Sequence, residues 1–257
     1  MIGKKKQEFR TVLGDLHVHT CLSPCATLDM TPMKIVRQAC KKGLELIAIT
    51  DHNSAENAAA VMAAAEGFQL SVIPGMEITT AEEAHIVALF AGVGEALSMQ
   101  ELVYENLLSG ENDDALFGIQ VIANELDEVE GINRRLLIGA TALGLTDVVR
   151  AVHERGGLAV AAHIDRASFS VVSQLGFIPQ GLELDAIEIS RRMPLDSARV
   201  FYKDYEQYAF ITASDAHDLA DLGVSPMRFR VLGAEWNEIR LAFANREGRR
   251  IIPVSDV

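Results

Sequence analysis

The apolar positions change period along the chain. Val12, Leu13, Leu16 and Val18 mark Thr11–His19 as a strand, and LELIAIT at 44–50 is a nearly continuous apolar run. Such a run fits a strand buried on both faces of a parallel sheet. Between them, Met33, Val36 and Cys40 give 31–43 one apolar helical face. Thr31 suits its cap, Pro32 its first turn, Lys41 and Lys42 its negative end and Gly43 its stop. Asn53 or Ser54 is placed to cap an Ala-rich helix running towards Gly67. Leu70–Ile78 reads as the next strand, broken at Pro74-Gly75, and His85–Phe90 as another short apolar run. Thr146 is placed to cap a helix that ends at Gly156-Gly157. Leu158–Ala162, Ala186–Ser190 and Ala209–Ala213 read as strands, and Trp236, Ile239, Leu241 and Phe243 suit a closing helix.

Repeated βα units with apolar strands predict an α/β fold, a parallel sheet with helices outside it. Six or seven such strands in one chain favour a barrel over an open sheet. Residues 95–145 break the alternation with acidic stretches at Glu111–Asp114 and ELDEVE (125–130). The segment is too long for an ordinary connection. It reads as a helical insertion or lid on a single domain spanning 1–257.

Charge and cysteine usage narrow the chemistry. With 23 Lys+Arg against 36 Asp+Glu, the net charge of −13 argues against stable binding to duplex nucleic acid. A small anionic substrate stays open, because local cations can outweigh the global field. Three cysteines, Cys21, Cys25 and Cys40, do not make a disulfide framework. The N-terminal MIGKKKQEFR lacks the apolar segment of a signal peptide, and no apolar run reaches the ~20 residues of a membrane span. The expectation is a cytoplasmic protein without a membrane partner; the sequence leaves its oligomeric state open.

Six of the seven histidines fall in or just after strands. His17 and His19 are two apart, a spacing that puts both on one strand face. His52 follows LIAITD, Glu77 follows VIPGM, and His163 follows LAVAA. Asp215 and His217, again two apart, follow AFITAS. His85 starts an apolar run rather than ending one. His153 lies in a predicted helix and reads as a solvated surface residue. One buried histidine is ordinarily a hydrogen-bonded core residue. Six of them with two carboxylates would leave donors and charges unpaired unless a cation joined them.

DLHVHT (15–20), ITDHNS (49–54), PGMEIT (74–79), AHIVAL (84–89), AAHIDR (161–166) and SDAH (214–217) resemble the successive motifs of the polymerase-and-histidinol-phosphatase (PHP) superfamily. The resemblance covers roughly residues 11–218. It implies a distorted (β/α)7 TIM-like barrel and two or three divalent ions, zinc, manganese or iron, hydrolysing phosphoesters. It implies one ion among His17, His19, Glu77 and Asp215, with Glu77 bridging to a second at His85 and His163. His52 and His217 would serve a third. Where the family has a further histidine for that ion, this chain has Cys25. Cys25 is either a thiolate ligand favouring zinc or iron, or a small residue in a turn set by Pro24. Asp15 and Asp51 suit partners that orient imidazoles, or strand-end turn residues.

The expected enzyme is a metal-dependent phosphoesterase in which the ions lower the pKa of a water nucleophile and clamp the phosphoryl group. Glu77, Asp215 and His217 are the residues expected to carry catalysis. Arg166, Arg191 and Arg192 are candidates for the phosphate, since guanidinium groups suit bidentate anion binding. A phosphatase on a small metabolite or nucleotide leads. Trimming of short single-stranded nucleic acid is second, for want of an obvious basic and aromatic groove. A non-catalytic metal-binding regulatory module and metal-assisted amide hydrolysis are the further alternatives.

Overall fold

The computed structural model describes residues 8–252; the basic start of the chain, 1–7, lies outside the described residues, as do 253–257. In chain order the elements are β1 (Arg10–Val18), α1 (Pro32–Lys41), β2 (Leu46–Ile49), α2 (Ala58–Ala64), β3 (Ser71–Thr79), β4 (His85–Leu89) and α3 (Val93–Asn106). A hairpin of β5 (Val121–Ala123) and β6 (Val129–Ile132) follows, then α4 (Leu145–Glu154), β7 (Leu158–Ala161), α5 (Val171–Leu175) and β8 (Ala186–Ile189). The chain continues through α6 (Leu195–Phe201), β9 (Ala209–Thr212), β10 (Met227–Val231), α7 (Trp236–Phe243) and β11 (Arg250–Ile252).

One sheet runs in the order β11-β10-β1-β2-β3-β4-β7-β8-β9. A bridge between Val18 and Ala216 brings the chain after β9 back onto the end of β1. Seven strands, β1 to β4 and β7 to β9, thereby form a nearly closed barrel. β10 pairs antiparallel with the lower half of the same edge of β1, from Arg10 to Gly14. The expected barrel is present, with one distortion: β4 is antiparallel to both neighbours. His85 begins β4, so this reversal puts it at the same rim as the C-terminal ends of the parallel strands.

Strand alternation separates two apolar layers. Leu46, Ala48, Val87, Leu89, Leu158 and Val160 fill the barrel interior with Leu16 and Phe229. Ile47, Ile49, Ile86, Ala88, Ala159 and Ala161 point outward and pack with Ile35, Val61 and Val148 of the helices. β1 departs from this rule. Val12 and Leu16 face the interior, but Val18 joins the outer layer. The register against β2 shifts between Asp15 and Val18. Such an irregularity re-aims side chains, and here it turns His17 and His19 towards the inside of the rim.

Several local expectations change. β3 runs unbroken through Pro74-Gly75. Pro74 forms the last register pair with β2, so its missing N–H interrupts nothing further. Gly75 is needed there: a Cβ would stand 2.4 Å from the Ala88 carbonyl oxygen. Asn53 and Ser54 cap no helix; α2 starts at Ala58. Asn53 instead accepts the Thr79 N–H at 3.0 Å and donates to the Leu137 and Gly139 carbonyls, each at 2.8 Å. Ser54 lies 2.8 Å from the Tyr104 hydroxyl of α3. Gly144, not Thr146, stands at the start of α4.

Residues 95–145 are not a helical insertion throughout. α3 ends at Asn106, and the rest is loop and the β5–β6 hairpin. The hairpin is tied to the barrel by Asn57, which accepts the Ala123 N–H and donates to the Val121 carbonyl, both at 3.0 Å. Gly118, with φ 103°, passes so close to Pro24 that a Cβ would lie 2.1 Å from its carbonyl oxygen. Among the described residues no helix is long and apolar enough to cross a membrane.

Candidate metal centre

The rim of the barrel gathers the side chains singled out from the sequence. Three of the turns that deliver them use left-handed backbone without glycine: Asn53 at φ 51°, His163 at 31° and Asp215 at 49°. Such conformations are uncommon and persist where the surroundings hold them. The Asn53 side chain, bonded on three sides, supplies that hold after β2.

Glu77 is the hub. Its Oε1 lies 2.8 Å from His85 Nδ1, 3.1 Å from His163 Nε2 and 3.4 Å from His17 Nε2. Its Oε2 lies 3.1 Å from His52 Nδ1 and 3.4 Å from His19 Nε2. Asp215 Oδ1 stands opposite, 3.3 Å from His17 Nε2 and 3.1 Å from His19 Nε2. The His217 ring stacks on His19 at 4.0 Å. Three donor sets lie within 4.8 Å each: His17, His19, Glu77 and Asp215; His52, Glu77 and His85; and His19, His52 and His217. The first set is the one the resemblance implies. In the second, His52 stands beside Glu77 and His85, in the place the resemblance gives to His163. Cys25 interacts with His52 and His217 at the edge of the third.

Hydrogen bonds anchor two of the rings through Nδ1. The Glu188 carboxylate can only accept, so His17 Nδ1–H donates to Glu188 Oε2 at 2.9 Å. The Ser23 hydroxyl gives its proton to Asp51 at 2.7 Å, so it accepts from His19 Nδ1–H at 2.9 Å. Both rings are thus anchored through Nδ1, and their Nε2 atoms meet 3.2 Å apart between two carboxylates. His52 Nδ1 and Asp215 Oδ1 are also buried at contact distance from partners, yet outside hydrogen-bond geometry. Imidazole nitrogens and carboxylate oxygens thus converge on shared points, some of them without a hydrogen-bond partner. The residues therefore fit divalent cations.

Electrostatics agree. Burial would raise Glu77, but His85, His17 and His52 hold its carboxyl well below the usual range. Asp215 is likewise held low, against burial, by His17 and His19. Burial opposes protonation of His17, and Glu188, Asp215 and Glu77 lift it well above its usual value all the same. Burial and the neighbouring His217 push His19 well below its own. Burial raises the Cys25 thiol, but His52 and His217 more than reverse this and bring it to about 6. The two buried carboxylates and the imidazoles around them thus act as one coupled group, each holding the charge of the other.

Asp15 and Asp51 touch no imidazole. Asp51 accepts from Thr20 N, Thr20 Oγ1 and Ser23 Oγ, each at 2.7 Å, and so acts on His19 through Ser23. Asp15 accepts the backbone N–H of Ser214 at 3.0 Å and of Gly223 at 2.8 Å, fixing the chain just before Asp215. Glu188 was not among the sequence candidates. Its signal is an acid inside the four-residue apolar strand AIEI, where it is buried.

The arginines divide. Arg166 Nη2 reaches Asp215 Oδ2 at 2.5 Å, at the cluster itself. Arg191 pairs with Asp221 at 2.6 Å. With Arg192 and Arg228 it lines a cavity of about 630 Å³ at the ends of β8 and β9. His153 is no free surface residue: it is half-buried, with Nε2 2.9 Å from Asp185 Oδ2.

Known proteins are similar to this chain in sequence and in fold. The family model described as the PHP domain matches residues 15–174, more than half of the chain. The 5′-3′ exoribonuclease Rnm of Escherichia coli (strain K12) is 28% identical over 204 residues, covering 62% of this chain and 68% of that protein. Among solved structures, the lesion-specific endonuclease PfuEndoQ of Pyrococcus furiosus superposes with a TM-score of 0.74 at 20% identity. That superposition covers 94% of this chain but only 58% of the endonuclease chain. A proposed metal-dependent phosphoesterase of Bifidobacterium adolescentis superposes with a TM-score of 0.58 at 20% identity, covering 90% of this chain and 96% of that one.

Proposed function

The chain belongs to the PHP domain family, and from that premise we propose that its histidine and carboxylate cluster is the centre of a metal-dependent phosphoesterase. The observation that carries this reading is Glu77, whose two oxygens face five imidazoles at 2.8–3.4 Å with Asp215 opposite. His17, His19, Glu77 and Asp215 would hold one ion. Glu77, His85 and His163 would hold a second, and His52, His217 and Cys25 a third. Divalent ions in such a cluster supply an ionised water nucleophile near neutral pH and polarise the phosphoryl oxygens.

The chain's own groups do the rest. Glu188 and Ser23 hold Nδ1 of His17 and His19, which aims both Nε2 atoms into the cluster, where each would give up any proton to take an ion. His217 donates Nδ1–H to the Asp215 carbonyl at 2.9 Å, which leaves its Nε2 able to take a proton or an ion. Arg166 sets a guanidinium beside Asp215, where an anionic substrate gains from it. A small phosphorylated metabolite or nucleotide suits a chain of net charge −13, because it needs only a local cation such as Arg166 rather than a broad basic surface. A second reading, cleavage at the end of a short nucleic-acid strand, is supported by the cavity with Arg191 and Arg192 at the ends of β8 and β9 and by the likeness to an exoribonuclease.

The test is hydrolysis by protein loaded with manganese or zinc. Wild type should cleave a chromogenic phosphomonoester, and Glu77→Gln or Asp215→Asn should lose at least about 100-fold in kcat. Faster cleavage of 5′-phosphorylated oligonucleotides than of mononucleotides would favour the second reading. Metal-replete protein inert towards monoesters, diesters and oligonucleotides would overturn both and leave a regulatory metal-binding module.

A further inference from the structure

The loop between β7 and α5 holds an aromatic ring that the metal-binding reading does not use. Phe169 has φ 57°, a left-handed conformation rare for so bulky a side chain. Its ring lies over His85, centroids 4.9 Å apart and planes within 19°. Its carbonyl accepts the His85 N–H at 2.9 Å. The next residue, Ser170, is buried, caps α5 and donates to the Arg166 carbonyl at 2.9 Å. The loop is therefore pinned on both sides of the ring.

Despite these restraints, Phe169 is 43% exposed. A phenyl group serving the core would be covered. This one is held in a strained conformation against an imidazole that touches Glu77, with much of its surface open. Strain of this kind gathers at ligand sites, where surrounding bonds maintain it. Arg166, three residues earlier, brings a cation to Asp215, so one short loop presents a guanidinium and an aromatic ring at the same rim.

We propose that Phe169 is a stacking platform for a nucleobase, so that the substrate is a nucleotide or a base-bearing strand end rather than a sugar phosphate. This rests on the phosphoesterase reading of the cluster. Every base has a π-face, so the platform favours bases over their absence and discriminates little among them. The competing role for the ring, an apolar cover that only positions His85, makes no distinction between substrates with and without a base.

The experiment compares matched pairs on manganese-loaded protein: adenosine 5′-monophosphate against ribose 5-phosphate, and a 5′-phosphorylated dinucleotide against its analogue with an abasic 5′ residue. Wild type should prefer the base-bearing member by about tenfold or more in kcat/KM. Phe169→Ala and Phe169→Leu should bring that ratio close to one, and Phe169→Tyr should keep it. Adenosine, which has no ester to cleave, should inhibit competitively, with a Ki that rises in Phe169→Ala by a similar factor. Equal efficiency of wild type on both members of each pair, or an unchanged ratio in Phe169→Ala, overturns the platform while leaving the phosphoesterase reading intact. Wild-type protein inert on every member overturns that reading and the platform with it.

Discussion

His17 Nδ1 lies 2.9 Å from Glu188 Oε2, and both side chains are buried. This pair anchors the His17 ring through Nδ1. It aims Nε2 at His19, Glu77 and Asp215, the nitrogen that would exchange its proton for a cation.

Removal of Glu188 frees the ring to change tautomer and to rotate. Glu188→Ala should weaken metal affinity on the order of 10–100-fold. Glu188→Gln keeps an oxygen acceptor for Nδ1–H and should lose less. Competition against a coloured chelator reads the affinity directly. Wild-type affinity in Glu188→Ala would show that packing alone orients His17.

Ions bound at this cluster would join β1, β3 and β4 to the turns after β2, β7 and β9, and so would bind the folded chain and not the unfolded one. Ligand present at a thousand times its Kd then stabilises by about 4 kcal/mol. For a chain of this size that corresponds to a rise in Tm of roughly 10 °C. Chelator-treated protein should therefore melt well below protein refilled with manganese or zinc, and refilling should restore the difference. Identical melting curves would contradict the metal assignment.

Cys25 separates two kinds of site. Neither the His17, His19, Glu77 and Asp215 set nor the His52, Glu77 and His85 set includes it. The third set, His19, His52 and His217, lacks it too, but its thiol interacts with two members of that set, His52 and His217. Cys25→Ser should lose one ion per chain and retain the others, as counted by elemental analysis of dialysed protein. A thiolate donor also predicts that the lost ion is zinc or iron in preference to manganese. An unchanged count would make Cys25 a turn residue.

Much of this centre was legible because the donors fall at strand ends, and uninterrupted apolar runs mark strand ends well. The reversal of β4 was not legible. An apolar run has no direction, so His85 seemed misplaced until antiparallel pairing with β3 and β7 put the start of β4 at the rim. The hairpin was hidden for another reason. ELDEVE (125–130) is rich in helix formers, but propensity is a weak prior against tertiary ties. Asn124 Oδ1 accepts the N–H groups of Leu126 and Glu128, both at 3.0 Å, and Asp127 takes φ 67°. Asp127 Oδ1 also accepts the Met33 N–H at 2.8 Å, holding the turn against α1. Glu188 escaped because an acid in a strand ordinarily marks a solvated face, and only the closed barrel places this one inside.

His153 offers a test far from the metals. It sits in the last turn of α4, where the helix dipole favours a cation, and it pairs with Asp185 at 2.9 Å. The hydrogen bond to Asp185 raises its pKa above the usual histidine value, and partial burial opposes the rise without cancelling it. A folded pKa above the unfolded one means that the folded state binds the proton more tightly. The stabilisation is therefore fully present below the unfolded value of about 6.5. It disappears as pH rises through the folded value. The pair is partly exposed, so its contribution is at most about 1 kcal/mol. Denaturant unfolding of wild type and His153→Gln should differ most near pH 6 and converge in mildly alkaline buffer. A difference that stays constant across that range would mean that His153 contributes through packing on α4 rather than through its charge.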